Sequence, residues 1–154
     1  MVLISVGTQK QQFTRIFDLV KKSKRLYKEQ IIAQAGHTKY DSKRIEMFDF
    51  IPLDEMDKYI EQADLVIAHG GVGTIFSAIK KGKKVIAVPR LEKYGEHIND
   101  HQIEICEELE KEGYILYYKD GKDKLDDLIE KVRKKEFKKY DSNYNYLEIL
   151  RKEI

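Results

Sequence analysis

Short apolar runs alternate with helical periodicity along nearly the whole chain. VLISV (2–6), QIIAQAG (30–36), RIEMFDFI (44–51), LVIA (65–68), VIAV (85–88) and YILYY (114–118) are brief, and most are rich in β-branched residues. Between them apolar residues recur three and four apart, as in Phe13, Ile16, Phe17 and Val20, the period of an amphipathic helix. Strand–helix alternation commits a chain to an α/β domain, because parallel strands need a long crossover and a helix supplies it. Continuously apolar runs imply strands covered on both faces, so the expected fold is a parallel sheet with helices on both sides. Helices are expected over 54–63, with Asp54 as N-cap, and near 74–81, 99–112 and 123–135. That domain occupies 1–139. The tail, 140–154, places Tyr144, Leu147, Leu150 and Ile154 on one stripe of a terminal helix, which serves either the domain's own core or a partner chain.

Composition narrows the function classes. The 154 residues suit one domain, and 42% hydrophobic residues suffice for its core. Charged residues make up 36%, yet the net charge is only +2, so bulk charge gives no nucleic-acid signal. The basic runs KKSKR (21–25) and KVRKKEFKK (131–139) read as solvated helix faces. The single cysteine, Cys106, excludes an intramolecular disulfide framework, suits a reducing cytoplasm and reads as a core residue. No apolar run approaches the ~20 residues that span a bilayer, and MVLISVGT reads as a first strand rather than a signal peptide.

The most informative motif is His69-Gly70-Gly71-Val72-Gly73-Thr74, set between a strand and a helix. In open α/β sheets ligands bind beyond the carboxyl ends of strands. A helix N-terminus there offers unpaired N–H groups and a positive dipole end, glycines admit an anion to the backbone, and Thr74 adds a hydroxyl. His69 can donate to the same anion; the alternative for the motif alone is a tight turn that needs glycine, with His69 a satisfied structural residue. The motif matches neither the dinucleotide GxGxxG pattern nor the P-loop. SVGTQKQQF (5–13) repeats the strand–glycine–threonine–helix layout at Gly7 and Thr8. A third polar cluster, NDHQ (99–102), has Asn99 as N-cap; His101 and Gln102 would project from the first helical turn, which suits a polyol, but taken in isolation the cluster reads as capping chemistry only.

Taken together, VGTQKQQF, HGGVGT and NDHQIE…LEKEGY resemble the C-terminal domain of family 28 glycosyltransferases. The likeness is to single-domain subunits of split members: the PssE type of bacterial capsule and exopolysaccharide synthesis, and the catalytic subunit of the dolichol-linked GlcNAc transferase. It covers the chain from VGT through GYILYY. It implies the Rossmann-like donor half of a GT-B fold. It puts Gly7 and Thr8 near the donor diphosphate, Phe50 and Ile51 at uracil, and His69, Gly70, Gly71, Gly73 and Thr74 at the diphosphate turn. It puts His101 and Gln102 on the sugar hydroxyls. One departure stands out: where the family often carries a ribose-binding Glu, this chain has Ser77, and Glu96 and Asp100 are acids the motif does not place.

The resemblance further implies inverting transfer from a UDP-sugar, with no metal and no cofactor beyond the donor. The general base then comes from a membrane-associated, acceptor-binding partner that presents a lipid-linked saccharide. The chain itself is expected in the cytoplasm, drawn to the inner membrane face by that partner, without nucleic acid. The competing reading is a nucleotide- or sugar-phosphate-binding module without catalysis, and Ser77 is the residue that favours it.

Overall fold

The computed structural model describes residues 1–141. In chain order the elements are β1 (Val2–Ser5), α1 (Thr14–Lys22), β2 (Ile31–Gln34), β3 (Ile45–Phe48), α2 (Leu53–Gln62), β4 (Leu65–His69), α3 (Val72–Lys80) and β5 (Lys84–Val88). A 3-10 turn (Glu92–Tyr94), α4 (His101–Lys111), β6 (Leu116–Tyr117) and α5 (Leu125–Lys134) follow. The strands form one parallel sheet in the order β3-β2-β1-β4-β5-β6. The chain winds outward from β1 to β3, then returns to the other side of β1. Between β1 and β4 the order reverses, and the loops leaving their carboxyl ends part to open a crevice.

Strand period and helix period meet in two core layers. Val2, Ile4 and Val6 of the first run face α1 and α5, whereas Leu3 faces the side covered by α2, α3 and α4. Helix α1 buries Ile16, Phe17 and Val20, each contributing roughly 2 kcal/mol of apolar burial. Helix α5 buries Leu125, Leu128, Ile129 and Val132 and leaves Arg133 and Lys134 exposed in its last turn, where cations favour the helix dipole. Cys106 lies fully buried in α4, and burial pushes its thiol pKa well up.

Boundaries differ from the sequence expectation at points where local chemistry decides. Helix α2 starts at Leu53 with Pro52, not Asp54, at the N-cap; Asp54 and Glu55 instead lie in the first turn, against the positive dipole end. Helix α3 starts two residues earlier than expected, so Gly73 and Thr74 belong to its first turn. Helix α4 starts at His101, and Asn99 acts one position out: its Oδ1 accepts the His101 N–H at 3.0 Å. β3 stops at Phe48, because its partner β2 ends at Gln34 and Gly36 turns away at φ 54°. Tyr140 packs against the α2–α4 side of the core, while the stripe Tyr144, Leu147, Leu150 and Ile154 lies outside the described residues. Among the described residues no helix is long and apolar enough to cross a membrane.

Candidate functional site

The crevice is built by side chains that tie neighbouring loops together. Gln34, at the end of β2, accepts from Ser5 Oγ (3.0 Å) and Gly7 N (3.1 Å) through Oε1. Its Nε2 donates to Gly7 O (3.1 Å) and Asp49 O (3.0 Å). One amide thus joins the loop after β1 to the segment carrying Phe50 and Ile51. Ser5 Oγ also lies 3.3 Å from Thr74 Oγ1, so the loop after β1 meets the first turn of α3. These contacts enclose a cavity of about 120 Å³ lined by Gly7, Thr8, Phe50, Ile51 and Thr74, among others. Residues named from three separate stretches of sequence therefore share one cavity. Phe50 is half exposed at its mouth, edge-on to His37 at 5.0 Å. Sequence reasoning missed Gln34 and Ser5; the available signal was a glutamine interrupting an otherwise apolar buried run.

His69 is 7% exposed and does not itself line that cavity; its ring packs beside Gly7 and Gly71. Gln102 Oε1 accepts the Gly70 and Arg90 backbone N–H groups, each at 2.9 Å. Gln102 Nε2 is therefore left to donate to His69 Nδ1 at 3.2 Å, where Gly71 N also donates at 3.2 Å. With Nδ1 an acceptor, this network places the ring proton on Nε2. Burial first, then Arg90 and His97, lower the His69 pKa to about 3, against the opposing Gln102 hydrogen bond. His69 is thus a neutral imidazole at physiological pH, with a fixed N–H donor beside Gly7.

The glycines divide their work differently from the sequence expectation. A Cβ at Gly7, where φ is 80°, would lie 2.4 Å from His69 Nε2, and one at Gly71 would lie 2.1 Å from His69 Cε1. A Cβ at Gly70 would strike Gln102 Cβ at 2.8 Å. These three glycines make room for protein: the imidazole and α4. Gly73 alone of the HGGVGT glycines faces open space, with nothing within 4 Å. Gly73 and Thr74 occupy the first turn of α3, whose N-cap, Gly71, makes no side-chain capping bond. The uncapped N–H groups and the dipole end there suit an anion.

The NDHQ cluster separates. His101 is exposed at the head of α4, whereas Gln102 is 2% exposed with both ends of its amide bonded inside the protein. In this arrangement Gln102 positions His69 and the Gly70–Gly71 turn rather than projecting outward. Ser77 is partly exposed on α3. Glu96 is buried, its carboxylate bound by Arg15 Nη2 (2.9 Å), Arg15 Nε (3.0 Å) and Leu91 N (3.0 Å). Asp100 is exposed and accepts the Glu92 N–H at 2.8 Å. Neither acid lines the cavity beside Gly7.

A parallel sheet in this strand order, with a crevice at its switch point, defines a doubly wound α/β half-domain. The chain matches the glycosyltransferase family 28 C-terminal domain over residues 1–148, and it belongs to that family. It is 39% identical over 64 residues to the mouse UDP-N-acetylglucosamine transferase subunit ALG13, covering 42% of this chain and 5% of that protein. The Candida albicans subunit of the same name is 30% identical over 79 residues, 51% of this chain and 26% of that protein. The chain thus spans only a small part of these relatives. In fold it resembles the glycotransferase of kitacinnamycin, with TM-score 0.62 and 14% identity over 88% of this chain and 35% of that one. Glycosyltransferase SnogD from Streptomyces nogalater gives 0.57 and 16% over 84% and 34%. The fold is the Rossmann-like half of a GT-B glycosyltransferase.

Proposed function

We propose that this chain is the donor-binding subunit of a two-chain, inverting UDP-sugar glycosyltransferase. It transfers a sugar to a lipid-linked acceptor in bacterial capsule or exopolysaccharide synthesis. The observation that carries the reading is the crevice at the β1–β4 switch point in a family 28 domain. Phe50 and Ile51 cover the base. Gly7, Thr8, Gly73, Thr74 and the His69 Nε2–H surround the diphosphate, and His101 reaches the transferred sugar. As the bond to the sugar breaks, charge grows on the leaving diphosphate. N–H dipoles fixed at the α3 N-terminus and a neutral imidazole donor stabilise that charge more than the ground state, which is how binding becomes rate. The chain's own residues bind and orient the donor, and a partner supplies the acceptor and its base. Calorimetric titration with UDP, with ADP as control and no added metal, tests this. UDP-selective binding supports it, and equal affinity for both nucleotides overturns the base assignment.

A second reading, a nucleotide- or sugar-phosphate-binding module without catalysis, draws on Ser77 and on the internally bonded Gln102. Hydrolysis or transfer of a UDP-sugar by the chain together with its partner would eliminate it.

A further inference from the structure

Behind the crevice lies a charge that the donor assignment does not use. Arg90 follows β5 and Pro89 and is fully buried. Its Nη2 donates to Val6 O at 2.7 Å, and its Nη1 donates to Gln11 O (2.8 Å) and Glu96 O (2.9 Å). Its guanidinium carbon lies 4.8 Å from the centroid of the Phe13 ring. Its backbone N–H shares Gln102 Oε1 with the Gly70 N–H. The side chain therefore grips the segment that carries Gly7 and Thr8, and the main chain grips the amide that holds Gly70 and His69. One residue bonds to one lip of the crevice directly and to the other through Gln102.

The choice of residue is informative. On the other side of β1, Gln34 ties two loops with a neutral amide. At Arg90 the fold instead buries a cation, which is far more costly to desolvate. Its partners among the described residues are carbonyl oxygens; the nearby Glu96 carboxylate is bound by Arg15 instead. Burial pushes the Arg90 pKa down to about 10, which leaves it charged at neutral pH. A buried charge acts through a low-dielectric path and is little screened by salt.

We propose that Arg90 is a positioning residue of the crevice: its guanidinium fork ties the Val6–Gln11 segment to the loop after β5, whose Arg90 N–H shares Gln102 with the Gly70 N–H, and its buried charge raises the site's affinity for a diphosphate. The first half stands on the structure alone; the second rests on the donor-site reading.

The full chain is compared with Arg90→Lys, which keeps the charge without the fork, and Arg90→Gln, which removes the charge. Amide hydrogen exchange is followed at Gly7 and Gly70, with Ile4 and Ile67 as core references. UDP and inorganic pyrophosphate are titrated in parallel. In Arg90→Lys, exchange at Gly7 rises about tenfold or more, Gly70 rises less because the main-chain bond to Gln102 is kept, the core references hold, and UDP binding weakens about tenfold. Arg90→Gln binds both anions more weakly still; if it fails to fold, Arg90→Lys carries the test of the fork and Arg90→Met, uncharged and of similar length, takes its place in the test of the charge. Wild-type exchange in Arg90→Lys, or a rise equal to that at Ile4 and Ile67, overturns the positioning role. Equal anion affinity in the two variants overturns the charge role. Wild-type protein that binds neither anion overturns the donor reading and the charge role with it, while the exchange pattern still decides the positioning role.

Discussion

At the residue scale the site turns on His69. Its pKa lies near 3 when folded, against 6.5 in the unfolded chain, so the unfolded state binds the extra proton between those values. The His69 contribution to stability is therefore fully present above about pH 6.5, is lost as pH falls, and levels off below about pH 3. The slope from this one group is ~1.4 kcal/mol per pH unit. Urea denaturation at pH 7 and pH 5 checks this: His69→Gln should lose markedly less stability over that interval than the wild type. The glycines around the ring give a paired prediction. Gly71→Ala drives a methyl into His69 Cε1 and should destabilise by about 1–3 kcal/mol. Gly73→Ala meets nothing within 4 Å and sits in a helix, so it should stabilise by up to about 1 kcal/mol. If the open space at Gly73 receives the diphosphate, the same methyl should weaken UDP binding. Thermal melts and calorimetry on the two variants separate room for protein from room for ligand. In the sequence both glycines look alike, because motif position does not say which neighbour needs the space.

At the element scale the alternation of runs was legible, since period two and period 3.6 each report burial directly. Element ends were less so. Asp54 and Asn99 are good N-cap residues by type, yet Pro52 and Asp100 hold those positions, because the chain path into each helix is set by tertiary contacts. The Arg15–Glu96 pair was invisible for the same reason: 81 residues separate partners that meet where α1 packs beneath the loop before α4. Both side chains are largely buried, at 16% and 5% exposure. Glu96→Gln leaves Arg15 with only its longer contact to Asp120 at 3.5 Å, and chemical denaturation should show a loss of about 1–3 kcal/mol. A surface pair such as Arg25–Glu130 is exposed at both ends and should cost less than about 1 kcal/mol when broken.

At the scale of the whole molecule, the switch point explains why three short motifs, weak singly, converge. Gly7 and Thr8 follow β1, His69 to Thr74 follow β4, and Phe50 and Ile51 enter from the edge because Gln34 draws their segment inward. The sheet order that achieves this could not be deduced from the runs alone; the family likeness pointed to the fold, and the order itself emerges only in the structure. The proposed function assigns the acceptor and its base to a second chain. Inverting transfer needs a base near the acceptor hydroxyl with appreciable basicity at neutral pH. His69 fails that test, with its pKa near 3 and its Nδ1 lone pair already accepting hydrogen bonds. The cavity beside Gly7, which His69 does not line, is bounded by hydroxyl, amide, apolar and backbone groups. On this reasoning the isolated chain should bind UDP yet transfer little sugar, and co-purification with an acceptor-binding chain should restore transfer without changing UDP affinity by more than a few-fold. Radiolabelled transfer to a membrane-extracted lipid acceptor, with and without the product of a neighbouring gene, measures this. Full-rate transfer by the chain alone would place the base within its own residues and make His101, exposed at the head of α4, the first side chain to replace.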